Sequence, residues 1–202
     1  MTNDKVERRY FLTRTDIDRI KAWDTAEKLK VKVFGKLKLF YKPTPYEISC
    51  TNFKKYFEPY LVINGIRKVS HKGLNESSEF GRSISIEESL EEELTLVLDK
   101  SGRILNDISF RDLTELNKTY YEAHRDDFMR LEIPFENGIA IFKNHFLGRN
   151  EKTVDHGQSL FIKRIDVVFV SVYLIRYEWN KIGESRIIRI DGHTGKSGVY
   201  SI

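Results

Sequence analysis

Residues 28–42 read KLKVKVFGKLKLFYK. Their odd positions are apolar apart from Gly35, and their even positions hold six lysines and two phenylalanines. Alternation with a period of two is typical of a β-strand that buries one face. The stretch therefore predicts a strand, with a bend or turn at Gly35, whose outer face carries lysines and phenylalanines.

Turn residues between apolar runs predict hairpins around this strand. Asn64-Gly65 separates YLVI from IRKV, and this dipeptide is preferred in two-residue type I′ turns. A second turn is predicted at 99–102, a third near 181–183, and a glycine-rich turn at 191–198, DGHTGKSG, before a last strand. The apolar run within 160–179 predicts a central strand covered on both faces, and 139–142, IAIF, predicts another strand.

Helical spacing appears in three places. Residues 112–131 predict one long central helix with the stripe Leu113, Leu116, Tyr120, His124 and Phe128, ended by Pro134. Residues 16–27 predict a shorter N-terminal helix, and 51–60 a single helical turn. The predicted fold class is α+β, with antiparallel, hairpin-rich sheet beside these helices. We expect one domain over 1–202, with 103–110 or 134–138 as the place of any subdivision.

The composition favours a protein that works inside the cell. The chain has 202 residues, a single cysteine, Cys50, and no apolar run long enough to span a membrane. Net charge is only +4, but residues 1–72 hold 17 basic against 8 acidic residues, and residues 73–136 hold 7 against 16. Such a separation of basic from acidic segments influences which partners bind. We predict a cytoplasmic protein without membrane contact.

The basic face of the predicted strand favours nucleic acid as a ligand. Regularly spaced cations neutralise phosphates, and aromatic rings stack on unpaired bases. The predicted binding residues are Lys28, Lys30, Lys32, Phe34, Lys36, Lys38 and Phe40. The alternative is that these lysines only protect an edge strand from aggregation.

The acidic run 87–93 is the predicted docking surface for a partner. Its charged members are Glu87, Glu88, Glu91, Glu92 and Glu93. A basic protein or another copy of the chain would fit them, although a purely solvated segment is the simpler alternative.

No catalytic residue, metal ligand or cofactor is predicted. GKS at 195–197 lacks the preceding glycine and the following helix of a phosphate-binding loop, and the histidines are scattered. Neither Glu-x-Lys nor Asp-x-Lys occurs, which argues against a restriction-type nuclease.

Three functions therefore stay open. The preferred one is a non-enzymatic nucleic-acid-binding protein, an accessory subunit of a larger assembly. The second is a structural, self-assembling module in which basic and acidic surfaces of successive copies meet. The third is an enzyme whose site is assembled from loops, for which Asp155, His156, Asp166 and His193 are the candidates.

Overall fold

The computed structural model of the chain describes residues 6–35, 43–74, 85–106, 108–147 and 158–200. The strands are β1 (Glu7–Leu12), β2 (Ile48–Leu74), β3 (Ser85–Leu98), β4 (Ile104–Leu105), β5 (Thr114–Glu115), β6 (Gln158–Trp179), β7 (Glu184–Asp191) and β8 (Ser197–Tyr200). The α-helices are α1 (Arg19–Gly35), α2 (Lys118–Ala123) and α3 (Phe135–Leu147).

The predicted α+β class with one long central helix is wrong. Strands make up 48% of the structure and form a large mixed sheet of eight strands, and the described residues contain only three short helices. The strand order is β4-β3-β2-β6-β1-β5, with β7 pairing with β6, and β8 with β7.

The expected central helix is interrupted for local and tertiary reasons. Asp112 has a φ of 52°, which a right-handed helix does not allow. The Asn117 side chain then accepts hydrogen bonds from the backbone N–H groups of Thr119 and Tyr120, at 2.8 and 3.3 Å, and so caps a six-residue helix, α2. Farther on, Phe128 forms an isolated parallel bridge with Phe57, and their rings stack 4.6 Å apart. Of the five residues in the predicted stripe, only Tyr120 therefore lies within an α-helix.

Asn64-Gly65 is not a turn. Both residues lie inside β2, where Asn64 pairs with Thr95 and Gly65 pairs with Leu94 of β3. A Cβ on Gly65 would stand 2.7 Å from the Phe161 carbonyl oxygen. The glycine is needed for this close approach of backbone, which is the other common reason for glycine within a strand.

The strand predicted from residue 28 onward is also wrong as far as it is described. Residues 28–35 continue α1, and 36–42 lie outside the described residues. Ala22 and Ala26 are fully buried on this helix, and Leu29 and Val33 follow at helical spacing and pack against the same core. The apolar residues of 28–34 fit both a period of two and the helical period that begins at Ala22, and the prediction used the shorter one. Residues 139–142, predicted as a strand, belong to α3.

The remaining hairpin predictions are confirmed. β3 and β4 flank the turn at 99–102, where Gly102 has a φ of 88°. β6 and β7 flank the turn near 181–183, and β7 pairs with β8 across the glycine-rich turn. Val167–Tyr173 of β6 are buried throughout, as expected for a central strand.

The chain divides into two compact units. The first contains residues 1–9, 61–108 and 131–167, and the second contains 10–60, 109–130 and 168–202. In the first, Phe142 of α3 is fully buried beside Gly65 of β2. In the second, α1 covers a core that includes Tyr177 and Trp179. No helix in the described part of the chain is long and apolar enough to cross a membrane.

Candidate functional site

The lysines of residues 28–35 do not form one continuous face. Lys28 and Lys32 are exposed on α1, and neither has an ion-pair partner among the described residues. Lys30 is only 15% exposed, and its ammonium lies 2.7 Å from the carboxylate of Glu27. Phe34 is completely buried, with its ring edge-on to Trp179 at 6.1 Å. Phe34 therefore belongs to the core and offers no ring to a ligand.

The other predicted nucleic-acid-binding residues cannot be placed on this helix. Lys36, Lys38 and Phe40 lie outside the described residues. Among the predicted residues that the structure describes, Lys28 and Lys32 have a charge that is available to a ligand.

The acidic run lies on β3, opposite basic residues of β2. Arg67 pairs with Glu92, and Lys68 pairs with Glu91, across the two strands. Glu93 accepts a 2.8 Å hydrogen bond from Lys163, which holds the pKa of this carboxyl below its usual range.

For the remaining two acidic residues only the backbone register is described. Glu87 lies opposite Lys72, and Glu88 opposite His71. The negative charge of the acidic run is thus partly neutralised by basic residues of β2 in the same chain. Its role in binding a partner stays a prediction.

The candidates for an enzyme site have separate local roles. Asp166 of β6 is 4% exposed and accepts hydrogen bonds from Arg164, at 2.8 Å, and Asn64, at 3.4 Å. His193 follows β7, and its Nδ1 lies 3.1 Å from a carboxylate oxygen of Asp16. Asp155 and His156 lie outside the described residues. Within the described ranges no three His, Cys, Asp or Glu side chains are grouped to hold a metal ion.

A buried polar cluster in the second unit joins β2 to β7. The Arg189 guanidinium contacts Glu58 and lies 3.3 Å from the hydroxyl of Tyr60. Burial raises the pKa of Tyr60 well above its usual range. Burial acts to lower the pKa of Arg189, but Glu58, Tyr60 and Asp191 together outweigh it and keep the pKa raised. Because these groups satisfy one another, the cluster is structural.

Aromatic side chains of the second unit form two groups of rings, with Lys55 between them, that we together call the aromatic ladder: Trp23, Phe53 and Tyr173, and Phe57, Phe128 and Tyr120. Tyr173, Phe57 and Phe128 are buried, so the accessible rings are those of Trp23, Phe53 and Tyr120. The ring of Trp23 lies 5.7 Å from that of Phe53, which lies 5.9 Å from that of Tyr173. Farther along β2, Phe57 lies 6.3 Å from Tyr120 of α2. The ladder thus combines rings from α1, β2, β6 and α2.

Two cations lie on the faces of these rings. The Arg19 guanidinium is 4.9 Å from the centre of the Phe53 ring. The Lys55 ammonium is 5.1 Å from that of Phe57 and 6.0 Å from that of Tyr173. Partial burial against the rings lowers the pKa of Lys55, although the residue as a whole is exposed. These are cation–π contacts, in which the ring quadrupole attracts the charge.

The helical turn predicted at 51–60 is wrong, because these residues belong to β2, and the arrangement of rings and cations was therefore not predicted. As part of strand β2, its odd residues Phe53, Lys55 and Phe57 share one face. The same period of two that was assigned to 28–42 was the available signal here. Trp23 and Arg19 join it only through the packing of α1.

The solvent face of α1 adds further positive charge. Lys21, Lys28 and Lys32 are exposed at spacings of seven and four residues, which sets them on one side of the helix. Asp24 is the acidic residue among them. The exposed part of α1 is therefore net positive.

No known protein family, curated protein or solved structure matches this chain.

Proposed function

We propose that this chain is a non-enzymatic protein that binds single-stranded nucleic acid through the accessible rings of the aromatic ladder, those of Trp23, Phe53 and Tyr120, and the cations beside them. The observation that carries the proposal is the position of Arg19 and Lys55 on the faces of Phe53 and Phe57. Rings for bases and cations for phosphates occur there side by side. Stacking on an aromatic side chain contributes roughly 1–3 kcal/mol per base.

Single strands are the preferred form for a physical reason. In a duplex the bases stack on one another, so a protein ring reaches them only after local unstacking. The positive charge of α1, with Lys28 and Lys32, would add a general attraction for the phosphates. The lysines predicted from the sequence thus keep a supporting role, and Trp23 and Phe53 take over the stacking that was assigned to Phe34 and Phe40.

An accessory role in a larger assembly, inside the cytoplasm, goes with this proposal. Nucleic acid is an intracellular ligand, and a lone, partly buried cysteine, Cys50, suits a reducing compartment.

Intrinsic fluorescence offers a direct test. The protein has two tryptophans, of which Trp179 is fully buried and Trp23 is partly exposed. Titration with an oligothymidylate of about 15 nucleotides, near the upper site size of ~16 for one binding fold, should quench Trp23. A Trp23→Phe variant should lose most of the quenching, because Trp179 has no access to a base.

Charge reversal tests the cations. Arg19→Glu/Lys55→Glu should weaken binding by at least about tenfold and reduce the dependence of affinity on salt. The matched control is Arg130→Glu/Lys143→Glu, which changes the charge equally at two exposed positions without an ion pair among the described residues. The control should weaken binding far less. Circular dichroism verifies that all variants fold.

Two outcomes would contradict the proposal. One is the absence of salt-dependent binding to single-stranded and double-stranded oligonucleotides. The other is equal weakening by the double variant and its control, which would indicate only a general charge effect. Light scattering at low and high salt adds a check, because a salt-sensitive oligomer without nucleic acid would favour the self-assembling module instead.

A further inference from the structure

A cleft lies between α1 and the strands β7 and β8 in the second unit. Its volume is about 370 Å³. The residues that line it are Leu29, Lys32, Val33, Ile188, Ser197, Gly198 and Val199. Lys32 follows Trp23 by nine residues, or about two and a half turns, and so lies on the opposite side of α1. Of the residues assigned to nucleic acid, Lys32 is the one that lines the cleft.

One wall of the cleft is a sheet edge. β8 pairs with β7, with Val199 opposite Ile188, and pairs with no other strand among the described residues. Within the part of the chain that the structure describes, the N–H and C=O groups on the outer backbone edge of β8 therefore have no strand partner. Val199 is 52% exposed, so an apolar side chain stands in solvent at this edge.

The rim of the cleft is positive. Lys32 lines it, and Lys28 is exposed one turn earlier on α1. In the described part of the chain neither lysine meets a carboxylate. A carboxylate of a ligand could therefore pair with Lys32 without first breaking an ion pair within the described part of the protein.

We propose that this cleft binds an extended, acidic segment of a partner protein by strand addition to β8. Backbone hydrogen bonds to the free edge supply affinity, and alternate side chains of the segment supply specificity. Its apolar side chains enter the space between Leu29, Val33 and Ile188, and an acidic side chain pairs with Lys32.

The size of the cleft limits what it accepts. Its volume of about 370 Å³ is near the lower end of the ~300–1,000 Å³ range of ligand pockets. One or a few side chains fill such a space, while the rest of the segment lies along β8. A second copy of this chain is a poorer occupant, because the carboxylates of Glu91, Glu92 and Glu93 are already paired with Lys68, Arg67 and Lys163.

The test uses a displayed library of segments of about six residues, the usual length of a strand, with alternate positions randomised. Selection against the wild-type protein should enrich apolar residues at alternate positions together with an acidic residue at a fixed distance. Lys32→Glu should reverse the preference at that position from acidic to basic.

Val199 provides a blocking variant, and Gly198 provides its control. Val199 lies opposite the buried Ile188, so its side chain stands on the face of the sheet that α1 covers. Val199→Phe should fill part of the cleft and weaken binding of the selected segments by at least about tenfold, equivalent to ~1.4 kcal/mol. Gly198 lies opposite Arg189, so Gly198→Phe adds the same ring on the other face of β8, where a Cβ would have nothing within 4 Å, and it should bind nearly as well as the wild type.

The proposal is overturned if no segment is enriched, or if the enriched segments bind Val199→Phe as tightly as the wild type. Should Val199→Phe not fold, the reversal expected for Lys32→Glu decides. N-methylation of the selected segment at alternate backbone positions removes the N–H groups that strand addition needs. If the segment binds by strand addition, N-methylation should abolish binding. Unchanged binding would mean that side chains alone hold the segment, and it would contradict the proposal. None of these measurements depends on nucleic-acid binding.

Discussion

Arg189 of β7 and Glu58 of β2 form an ion pair that is mostly withdrawn from solvent, with side chains 21% and 12% exposed. Tyr60 completes the arrangement, because its hydroxyl lies 3.3 Å from both the guanidinium and the Glu58 carboxylate. Removal of one member of such a pair leaves a charge with neither water nor a partner.

We therefore expect Arg189→Met to destabilise the protein by about 2–4 kcal/mol, close to the range for a broken buried pair. Arg189→Met/Glu58→Gln should be less destabilised than the single changes predict together, because only Asp191, whose carboxylate also accepts two backbone hydrogen bonds, then loses its cation. Urea unfolding of the four proteins in this cycle measures the coupling. Strict additivity would mean that the pair contributes nothing specific.

Tyr177 gives an expectation for alkaline pH. Its hydroxyl is buried and donates a 2.9 Å hydrogen bond to Glu27, and burial followed by this carboxylate raises its pKa far above the usual value. The folded protein thus holds this proton more tightly than the unfolded chain does. The stabilisation is fully present below the unfolded pKa of about 10 and is lost as pH rises above it.

Tyr177→Phe should consequently reduce the fall in unfolding free energy above about pH 10 and cost about 1 kcal/mol at neutral pH for the lost hydrogen bond. Tyr46→Phe is the control, since Tyr46 is 96% exposed. Denaturant unfolding at several pH values makes the comparison. An unchanged pH profile in Tyr177→Phe would contradict the assignment.

Gly65 should tolerate no side chain. Its added Cβ would lie 2.7 Å from the Phe161 carbonyl oxygen and 2.8 Å from the Phe142 ring. Gly65→Ala should therefore destabilise the protein by about 1–3 kcal/mol through overpacking. Gly198→Ala, in another strand with open space, should stay within about 0.5 kcal/mol. Thermal unfolding of both variants separates this explanation from a general effect of glycine replacement.

Phe34 tests the helical placement of residues 28–35. Because its side chain is fully buried, Phe34→Ala should cost about 3–5 kcal/mol. Lys28→Ala, at an exposed position, should change stability by less than about 0.5 kcal/mol. If residues 28–42 instead formed a strand with these even positions facing solvent, neither variant would lose much stability.

The sequence was a good guide where local chemistry settles the conformation. The turn at 99–102 needs a positive φ, and Gly102 supplies it. The glycine-rich turn at 191–198 follows the same logic, since the Asp191 carboxylate accepts hydrogen bonds from the backbone N–H groups of His193 and Thr194. The central strand was visible because both of its faces are apolar. Such signals act within a few residues and depend little on the rest of the chain.

The sequence was a poor guide where one pattern fits two structures. Residues 28–34 alternate like a strand, yet they extend a helix whose apolar side begins earlier, at Ala22. Asn64-Gly65 fits a turn, but the close approach of Phe161 and Phe142 makes Gly65 a packing residue. The candidate nucleic-acid surface was assigned to Phe34, which is buried, while Phe53 and Lys55 were overlooked.

By itself, then, the sequence determined the turns that require special backbone angles, the doubly covered strand and the separation of basic from acidic segments. Only the tertiary structure decided that the acidic run faces basic residues of the same chain, that Arg19 and Lys55 lie on a series of rings, and that α1 and β8 enclose a cleft. The physical reason is distance along the chain. Backbone preferences act between neighbours, whereas burial and charge pairing join residues that folding alone brings together.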